Sequence, residues 1–201
     1  QAQHCRDWEL IIVDDGSTDG TRGALTENPI NGAVLLLHTK NQGKGGALRT
    51  ALTKATGAYA AVQDADLEYD PNDYVELLKY ARQNNFKVAF GSRFLQPNPR
   101  IYWRFLLGNK VLTTWINLLC ASHYTDAYTG CKLMATNVWR ELDLVSTGFE
   151  IEAEIAVKVA QKGYPFTEFP ITYKPRKVAE GKKISWKDAV RGFKAARRFA
   201  A

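Results

Sequence analysis

The side chains with the most distinctive chemistry lie in residues 63–71, Gln-Asp-Ala-Asp-Leu-Glu-Tyr-Asp-Pro, which follow a short apolar run. Side chains alternate along an extended segment, so the carboxylates of Asp64 and Asp66 are expected on the same side. Paired carboxylates are a usual way to hold Mg²⁺ or Mn²⁺ when phosphate oxygens of a substrate complete the coordination shell. Glu68 is spaced to supply one more oxygen ligand. Asp70, by contrast, is expected to cap the helix that follows.

A second acidic motif, Asp-Asp-Gly-Ser-Thr-Asp-Gly-Thr at residues 14–21, also follows an apolar run. Asp14 and Asp15 at the carboxyl end of a strand suit recognition of a ribose or a base edge, with Gly16 and Ser17 in the adjoining turn. A plain strand-to-helix turn, in which a side chain of the motif caps the helix, explains the same residues. The residues alone leave both interpretations open.

The third motif, Asn-Gln-Gly-Lys-Gly-Gly-Ala-Leu at residues 41–48, follows another predicted strand. Its three glycines allow the backbone to approach a phosphate closely, and Lys44 supplies a positive charge. The motif differs from a Walker A loop, because its spacing is different and no Ser or Thr follows the lysine. A flexible strand-to-helix connection is the alternative interpretation.

Alternating apolar runs and helical patterns predict the scaffold for these motifs. Strands are predicted at residues 8–13, 33–38, 58–63, 87–91 and 166–173, and helices at residues 45–56, 71–83, 103–120, 149–162 and 185–200. This alternation predicts an α/β fold with a largely parallel sheet. Ligands of such sheets bind at the carboxyl ends of the strands, where all three motifs fall.

Composition excludes several classes of protein. A length of 201 residues with 45% hydrophobic and 24% charged residues fits one ordinary folded domain. No apolar stretch approaches the roughly 18 residues that a membrane span needs. Three unpatterned cysteines indicate neither a disulfide framework nor a zinc site, and they favour a reducing, cytoplasmic environment.

The net charge of +6 is concentrated near the C-terminus. Residues 174–201 contain ten Lys and Arg against two acidic residues, so the rest of the chain is close to neutral. Residues 185–200 also carry apolar side chains at helical spacing, with basic residues on the other side. Such a helix suits an anionic partner such as a membrane surface, although an ordinary packed surface helix fits the pattern too.

In this order along the chain, the three motifs resemble the nucleotide-sugar-binding half of the family 2 glycosyltransferases. Within that family the sequence is most similar to the dolichyl-phosphate mannose synthase-like branch. The similarity covers nearly all of the chain and continues at residues 91–94 (Gly-Ser-Arg-Phe), 108–110, 125–134, 148–155 and 171–188. Each segment alone is weak evidence for the family, but the combination of segments in this order is highly specific.

The resemblance implies a GT-A fold, which is a Rossmann-like, mostly parallel mixed sheet that binds a nucleotide sugar with Mg²⁺ or Mn²⁺. Members of this branch transfer a hexose, with inversion, from a UDP- or GDP-linked donor to a polyprenyl phosphate (dolichyl or undecaprenyl) at the cytoplasmic face of a membrane. We therefore expect a catalytic domain at residues 1–175. Residues 176–201 are expected to form a basic amphipathic segment that meets an anionic membrane surface and no nucleic acid.

Candidate donor-binding residues are Asp14, Asp15, Gly16, Ser17 and Lys44. The resemblance places Asp15 against the nucleoside, with Asp14 nearby. It also makes Asp64 and Asp66 the metal-binding pair, and Asp66 is the predicted catalytic carboxylate. Glu68 stands where the family often has Gln, and it is the third candidate ligand.

Arginines that handle phosphates in the family are matched by Arg93, in the Gly-Ser-Arg-Phe segment, and by Arg176. Both are predicted catalytic residues, and a surface ion pair is the alternative role for each. Arg100 is a third candidate for substrate binding. Asp126 and Lys132 complete the candidate set, and Asp126 is expected to orient Lys132 or an arginine, or only to cap a turn.

These residues predict a mechanism without a strong general base. A bound metal offsets the negative charge that develops on the nucleoside diphosphate leaving group. The acceptor oxygen belongs to a phosphate that is already anionic at neutral pH, and no histidine lies in an obvious catalytic motif. Two arginines can hold that phosphate through forked, charge-assisted hydrogen bonds.

The sequence departs from the family at its start. Family members begin with another strand and helix that contribute to the donor pocket, a unit of about 30 residues for which this sequence has no counterpart. The sequence therefore predicts either a piece of a longer enzyme or a protein with impaired function. A catalytically silent, membrane-associated scaffold and a nucleotidyltransferase, which also uses paired carboxylates and a metal, are the alternatives.

Overall fold

The computed structural model describes residues 8–98, 103–176 and 186–201, in which strands and helices alternate. The strands are β1 (Leu10–Asp14), β2 (Ala33–Leu37), β3 (Tyr59–Val62), β4 (Val88–Ser92), β5 (Lys132–Ala135) and β6 (Phe166–Pro170). The helices are α1 (Thr21–Glu27), α2 (Gly43–Leu52), α3 (Asp73–Gln83), α4 (Trp103–Cys120), α5 (Thr136–Glu141), α6 (Ile151–Gln161) and α7 (Trp186–Ala200).

The described strands form two sheets. β1 and β2 pair in parallel, with Leu10 opposite Ala33 and Asp14 opposite Leu37. The second sheet has the order β3-β5-β4-β6, in which β5 runs antiparallel to both neighbours and β4 and β6 are parallel. β3, β4 and β6 therefore point the same way. The predicted α/β fold with a mostly parallel mixed sheet is confirmed, and its strands are divided between two sheets.

The predicted helices and strands are found with their ends shifted by at most four residues, whereas β5, α1 and α5 are not predicted. The side chain of Asp70 bonds the turn that leads into α3. Asp70 Oδ1 accepts a hydrogen bond from the backbone N–H of Asn72 at 2.9 Å, and the assigned helix begins at Asp73. The N–H groups of Asp73 and Tyr74 donate to the carbonyls of Asp70 and Pro71, so Asp70 caps the turn that continues into the helix.

The four-stranded sheet is covered on both faces. Val88 and Phe90 of β4 belong to a core with α4, α5 and α6, while Ala89 between them packs with Leu77 of α3. Such alternation is the normal consequence of strand geometry. Trp139 of α5 is fully buried, and its indole N–H donates to a backbone carbonyl of β3 at 3.0 Å. α5 is thus anchored to β3 near the start of that strand.

Helix α4 has two faces. Ile116 is buried in the core, whereas Leu107, Val111 and Leu118 are exposed. α7 packs on α4 and α6, and Phe193 of α7 lies with its ring centre 6.5 Å from that of Trp115. Within the described residues, no helix is both long and apolar enough to cross a membrane.

The Gly-rich loop, residues 41–48, is held by backbone contacts with residues 145–147. The N–H of Gly45 donates to the carbonyl of Thr147 at 2.7 Å, and a Cβ on Gly45 would overlap the carbonyl oxygen of Ser146. Residues 145–147 are in turn fixed by the buried Glu154 of α6, whose carboxylate accepts the N–H groups of residues 145 and 146 at 2.9 and 2.8 Å. α6 therefore sets the position of the first turn of α2.

This packing predicts opposite effects for two glycine substitutions. Gly45→Ala should destabilise the fold by about 1–3 kcal/mol, because the added methyl group forces the backbone of residues 145–147 to move. Gly23→Ala in α1 should stabilise it by about 0.5–1 kcal/mol, because the new Cβ meets nothing closer than a side-chain oxygen at 4.0 Å and alanine favours a helix. Urea unfolding measures both, and equal effects would contradict the tight contact at Gly45.

Candidate active site

The acidic loop, residues 64–70, follows β3 and contains the predicted metal-binding pair. Asp64 Oδ2 lies 2.7 Å from the ammonium of Lys44, and Asp66 Oδ2 lies 3.0 Å from Nη2 of Arg176. Both carboxylates keep access to solvent, with 29% and 23% of their side chains exposed. In the described part of the chain, no three His, Cys, Asp or Glu side chains converge as in a preformed metal site. Protein cations therefore neutralise the pair in this structure.

A buried cluster of charged side chains adjoins Asp64. Glu152 of α6 accepts a hydrogen bond from Lys44 at 2.8 Å and forms an ion pair with Lys132 of β5. Glu152 and Lys132 are buried, Lys44 is largely buried, and Lys132 also donates to the carbonyl of Thr129. Glu152 thus links the Gly-rich loop, the four-stranded sheet and α6 at one carboxylate.

The pKa values in this cluster follow from burial and charge. Burial alone would lower the pKa of Lys44, but Glu152 and Asp64 together raise it well above its usual range. At Lys132 the effect of burial is larger than the effect of the nearby Glu152, so the pKa of Lys132 is lowered. Burial would raise the pKa of Glu152, yet the two lysines outweigh it and lower that pKa. Glu152 is therefore held ionised between two amino groups.

Glu68, the third predicted metal ligand, ties the acidic loop to residues 173–176. Its Oε2 accepts a hydrogen bond from the hydroxyl of Tyr173 at 2.8 Å, and its Oε1 accepts the backbone N–H of Arg176 at 3.0 Å. Its own carbonyl accepts the N–H of Lys174 at 2.8 Å. Both carboxylate oxygens are engaged in these bonds, and the role of Glu68 as a metal ligand stays a prediction.

Arg93 lies directly after β4 and forms a two-point ion pair with Asp126. Nε and Nη2 of Arg93 each lie 2.7 Å from a carboxylate oxygen of Asp126, and both residues are buried. The guanidinium carbon also lies 5.3 Å from the ring centre of Tyr173. Of the alternatives that the sequence left open, Asp126 orients an arginine, whereas Lys132 turns towards Glu152.

Asp15 organises the start of the Gly-rich loop. Its two carboxylate oxygens accept the backbone N–H groups of Gln42 and Gly43, each at 2.8 Å, and His38 Nδ1 lies 2.7 Å from Oδ1. These N–H groups belong to the start of α2, where backbone donors have no partner within the helix. The predicted contact of Asp15 with a nucleoside stays a prediction.

The remaining residues of the first acidic motif shape the turn after β1. Asp14 Oδ2 accepts a hydrogen bond from Nε of Arg22 at 2.8 Å, and the neighbouring Ser17 and Arg22 lower the pKa of its carboxyl. Gly16 has a φ of 74°, in the left-handed region that favours glycine. Asp19 accepts the N–H of the first residue of α1 at 3.1 Å, so a side chain of the motif does satisfy the helix start. Donor binding by Asp14, Gly16 and Ser17 stays a prediction.

Two tyrosines and a glycine that sequence reasoning missed connect these groups. The rings of Tyr69 and Tyr173 lie 5.4 Å apart, and the hydroxyl of Tyr69 accepts the N–H of Gly130 at 3.1 Å. A Cβ on Gly130 would lie 2.7 Å from Asp64 Oδ2, so only glycine allows this approach. The Tyr-x-x-Arg spacing at residues 173–176 is the one sequence signal that could have identified Tyr173. The predicted candidate Arg100 lies outside the described residues.

The acidic loop is the meeting point of this arrangement. It is bonded through Asp64 to the Gly-rich loop and through Asp66 and Glu68 to the C-terminal segment that carries Arg176. Cations and backbone N–H groups beside paired carboxylates suit a substrate that carries phosphates together with a divalent ion.

Comparison with known proteins agrees with this chemistry. The sequence profile described as Glycosyl transferase family 2 matches residues 1–142. The low-salt glycan biosynthesis hexosyltransferase Agl6 of Haloferax volcanii is 31% identical over 169 residues, which cover 83% of this chain and 40% of that protein. Glycosyltransferase AglJ of the same organism is 30% identical over 169 residues, covering 83% of this chain and 54% of that protein. The chain thus spans about half the length of these curated relatives.

The fold is similar to that of glucosyl-3-phosphoglycerate synthase from Mycobacterium tuberculosis. The crystal structure of that enzyme with Mn²⁺, UDP-glucose and phosphoglyceric acid matches with a TM-score of 0.64 and 16% identity, over 94% of this chain and 68% of that chain. The architecture is therefore the GT-A fold of glycosyltransferases. The chain belongs to glycosyl transferase family 2, which decides against the nucleotidyltransferase alternative.

The buried cluster predicts a large loss of stability for Glu152→Gln. An uncharged amide leaves Lys132 without its counter-ion and leaves Lys44 paired only with Asp64, and breaking such a buried pair costs about 3–5 kcal/mol. Glu76→Gln is the control, because its partner Lys79 lies 3.8 Å away on the exposed face of α3 and the pair contributes under about 1 kcal/mol. Urea unfolding at neutral pH measures both variants.

The natural chain and the Glu152→Gln variant also test how the stability contributed by these ion pairs depends on pH. The pKa of Glu152 is lowered in the folded state from 4.5, so the ion pairs contribute fully above about pH 4.5 and are lost as the pH falls through the folded pKa. The difference in unfolding free energy between the natural chain and Glu152→Gln should therefore shrink in acid. A difference independent of pH would contradict the assignment.

Proposed function

We propose that this chain is the donor-binding domain of a hexosyltransferase that moves a sugar from a UDP- or GDP-linked donor to a polyprenyl phosphate. The observation that carries the proposal is the pairing at the acidic loop. Its two partly exposed carboxylates take their counter-ions from two different candidate phosphate-binding motifs, Lys44 of the Gly-rich loop and Arg176 of the C-terminal segment. Transfer from a diphosphate donor to a phosphate acceptor needs cations for both phosphate groups at the same site.

Asp64 and Asp66 would hold Mg²⁺ or Mn²⁺ in this proposal. Two partly exposed carboxylates supply hard oxygen ligands and leave room for phosphate oxygens, which is the usual arrangement for these ions. A bound ion would offset the negative charge on the departing nucleoside diphosphate. Glu68 is the third candidate, although its oxygens already bond Tyr173 and Arg176. The related glucosyl-3-phosphoglycerate synthase was crystallised with Mn²⁺ and UDP-glucose, which supports metal use.

The Gly-rich loop would receive the donor diphosphate. Its glycines bring the backbone of the first turn of α2 close to residues 145–147. Asp15 and Thr147 already accept the N–H groups of Gln42, Gly43 and Gly45, so the diphosphate would be held by Lys44 and by the positive end of the α2 dipole. Lys44 adds a permanent positive charge, because its two carboxylate neighbours raise its pKa. Asp14 and Asp15, at the end of β1, are the proposed contacts for the nucleoside, with Gly16 and Ser17 in the turn beside them.

The acceptor phosphate would lie near the two arginines. Arg176 has 34% of its side chain exposed and is directly accessible, whereas Arg93 is buried and fixed by Asp126. We propose that Arg176 binds the phosphate and that Arg93 contributes positive potential from below the site. An anionic phosphate oxygen is a sufficient nucleophile, so the geometry demands no general base. The resemblance to the dolichyl-phosphate mannose synthase-like branch supports a polyprenyl acceptor.

The donor site can be tested by thermal unfolding with UDP- and GDP-sugars, with and without Mn²⁺. A donor at about 100 times its Kd adds about 2.7 kcal/mol, which raises the Tm of a chain of this length by about 5–10 °C. Asp66→Asn should abolish the Mn²⁺-dependent part of the increase. Asp70→Asn in the same loop should preserve it, because Asp70 only closes the turn before α3.

The outcomes separate the alternatives. No shift with any donor, in a chain that melts cooperatively, would contradict donor binding by these residues alone, and a version extended at its N-terminus would then be measured. A shift without release of UDP or GDP on addition of polyprenyl phosphate would favour a silent scaffold over an enzyme.

We further propose that the protein works at an anionic, cytoplasmic membrane face. Exposed Leu107, Val111 and Leu118 of α4 and Val190 of α7 present apolar side chains, and the exposed Arg191, Lys194, Arg197 and Arg198 add positive charge along α7. A cavity of about 320 Å³ between the two helices is lined mainly by apolar side chains: Val111, Trp115, Leu118 and Phe193, with Thr114 and Lys110. Apolar side chains flanked by Lys and Arg suit the boundary of a bilayer.

Sedimentation with phosphatidylserine vesicles tests the membrane proposal. The double variant Lys194→Gln and Arg198→Gln in α7 should bind about thirtyfold more weakly, because each cation near an anionic surface contributes about 1 kcal/mol. Lys79→Gln with Arg82→Gln in α3 removes the same charges from the opposite face of the sheet and should change binding little. Equal losses would show a non-specific charge effect and refute this docking face.

A further inference from the structure

Arg176 is held less completely than the other buried or half-buried cations of the site. One nitrogen, Nη2, contacts Asp66 at 3.0 Å, while Nε lies 3.6 Å from Glu68 Oε1. That Nε is buried and, among the described residues, has no hydrogen-bond partner. Arg93, by contrast, has two nitrogens at 2.7 Å from Asp126. The guanidinium of Arg176 therefore uses only part of its fork, and its present position satisfies it poorly.

Lys44, the other cation on the paired carboxylates, is fixed far more tightly. Its ammonium lies 2.7 Å from Asp64 and 2.8 Å from Glu152 and is largely shielded from water. Removing it from Asp64 alone would still leave it paired with Glu152. Among the described residues, the second ion pair of Arg176 is only the longer contact of 3.6 Å with Glu68, and a third of its side chain faces solvent. Of the two cations, Arg176 is the one that can leave.

A divalent ion on the pair would compete directly with this arginine. The oxygen of Asp66 that accepts Nη2 of Arg176 is one of the few that an ion shared with Asp64 can use, since Oδ1 of Asp66 already accepts the N–H of Glu68 at 3.1 Å. A guanidinium and a dication that contact the same carboxylate would also lie close enough to repel each other strongly. Occupation by both at once is therefore unfavourable.

We propose that Arg176 is an exchangeable counter-ion of Asp66, displaced by the divalent ion that enters with the nucleotide and thereby released to bind the acceptor phosphate. Bare metal then binds weakly, because it must displace the arginine without any phosphate to receive it. The acceptor phosphate finds its arginine free only after metal and donor have entered. This inference rests on the proposed function, since it assumes the metal at Asp64 and Asp66.

Binding of Mn²⁺ alone, measured by electron paramagnetic resonance of the free ion, tests the exchange without any turnover. Arg176→Gln removes the competing cation and should raise the Mn²⁺ affinity at least tenfold. Lys174→Gln is the matched control, because it lies two residues away with the same change of charge, and its side chain is exposed. That control should change the affinity less than threefold. Arg176→Lys retains a cation and should stay near the natural chain.

The results divide cleanly. Equal gains in Arg176→Gln and Lys174→Gln, or no gain in Arg176→Gln, would overturn the exchange while leaving the proposed glycosyl transfer intact. Failure of all the proteins to bind Mn²⁺, even with UDP added, would refute the metal site and the exchange together. Circular dichroism melts confirm that each variant is folded, so that a change in affinity reports on the site.

Discussion

The contact on which the rest of the site depends is the carboxylate of Glu152, buried between two amino groups. Lys132 takes its counter-ion from this carboxylate, Lys44 shares it with Asp64, and the carboxylate could not remain charged in the interior without these amino groups. Because Lys44 lies on α2, Lys132 on β5 and Glu152 on α6, one ionic cluster fixes the spacing of three elements. Asp64 takes its position from the same ammonium, so the geometry of the acidic loop is a consequence of charge pairing deeper in the domain.

The acidic loop is fixed from its other end by residues distant in sequence. Glu68 receives a hydroxyl and two backbone N–H groups from residues 173–176, at its side chain and its carbonyl. The rings of Tyr69 and Tyr173, tilted by 47° to each other, close the same junction. A glutamate here, where the resembling family often has Gln, adds a negative charge beside Arg176. The loop therefore joins the two candidate phosphate-binding motifs through short, polar contacts while keeping Asp64 and Asp66 within reach of solvent.

Local patterns predicted the scaffold because each strand that ends in a polar motif is marked by an apolar run, and strand ends of one direction meet at one edge. They failed at β5, since Lys132–Ala135 is four residues long and opens with a buried lysine, which no apolar pattern includes. They did not single out Glu152, and they left the partner of Asp126 open between Lys132 and an arginine, because Arg93 lies 33 residues away and becomes a neighbour only in the folded chain. The sequence could not show which charged side chains are buried next to one another, because that depends on the tertiary fold.

Residues 145–147 contact the Gly-rich loop through their own backbone atoms. Carbonyls of Ser146 and Thr147 make the contact, whereas Gly45 needs to lack a side chain. Selection should therefore act unequally on the two partners. Substitution of Gly45 should be selected against. The side chains at 146 and 147, which line a cavity next to α7, can change without loss of the backbone contact. Related enzymes can thus acquire different surfaces there over evolutionary time while the first turn of α2 stays where it is.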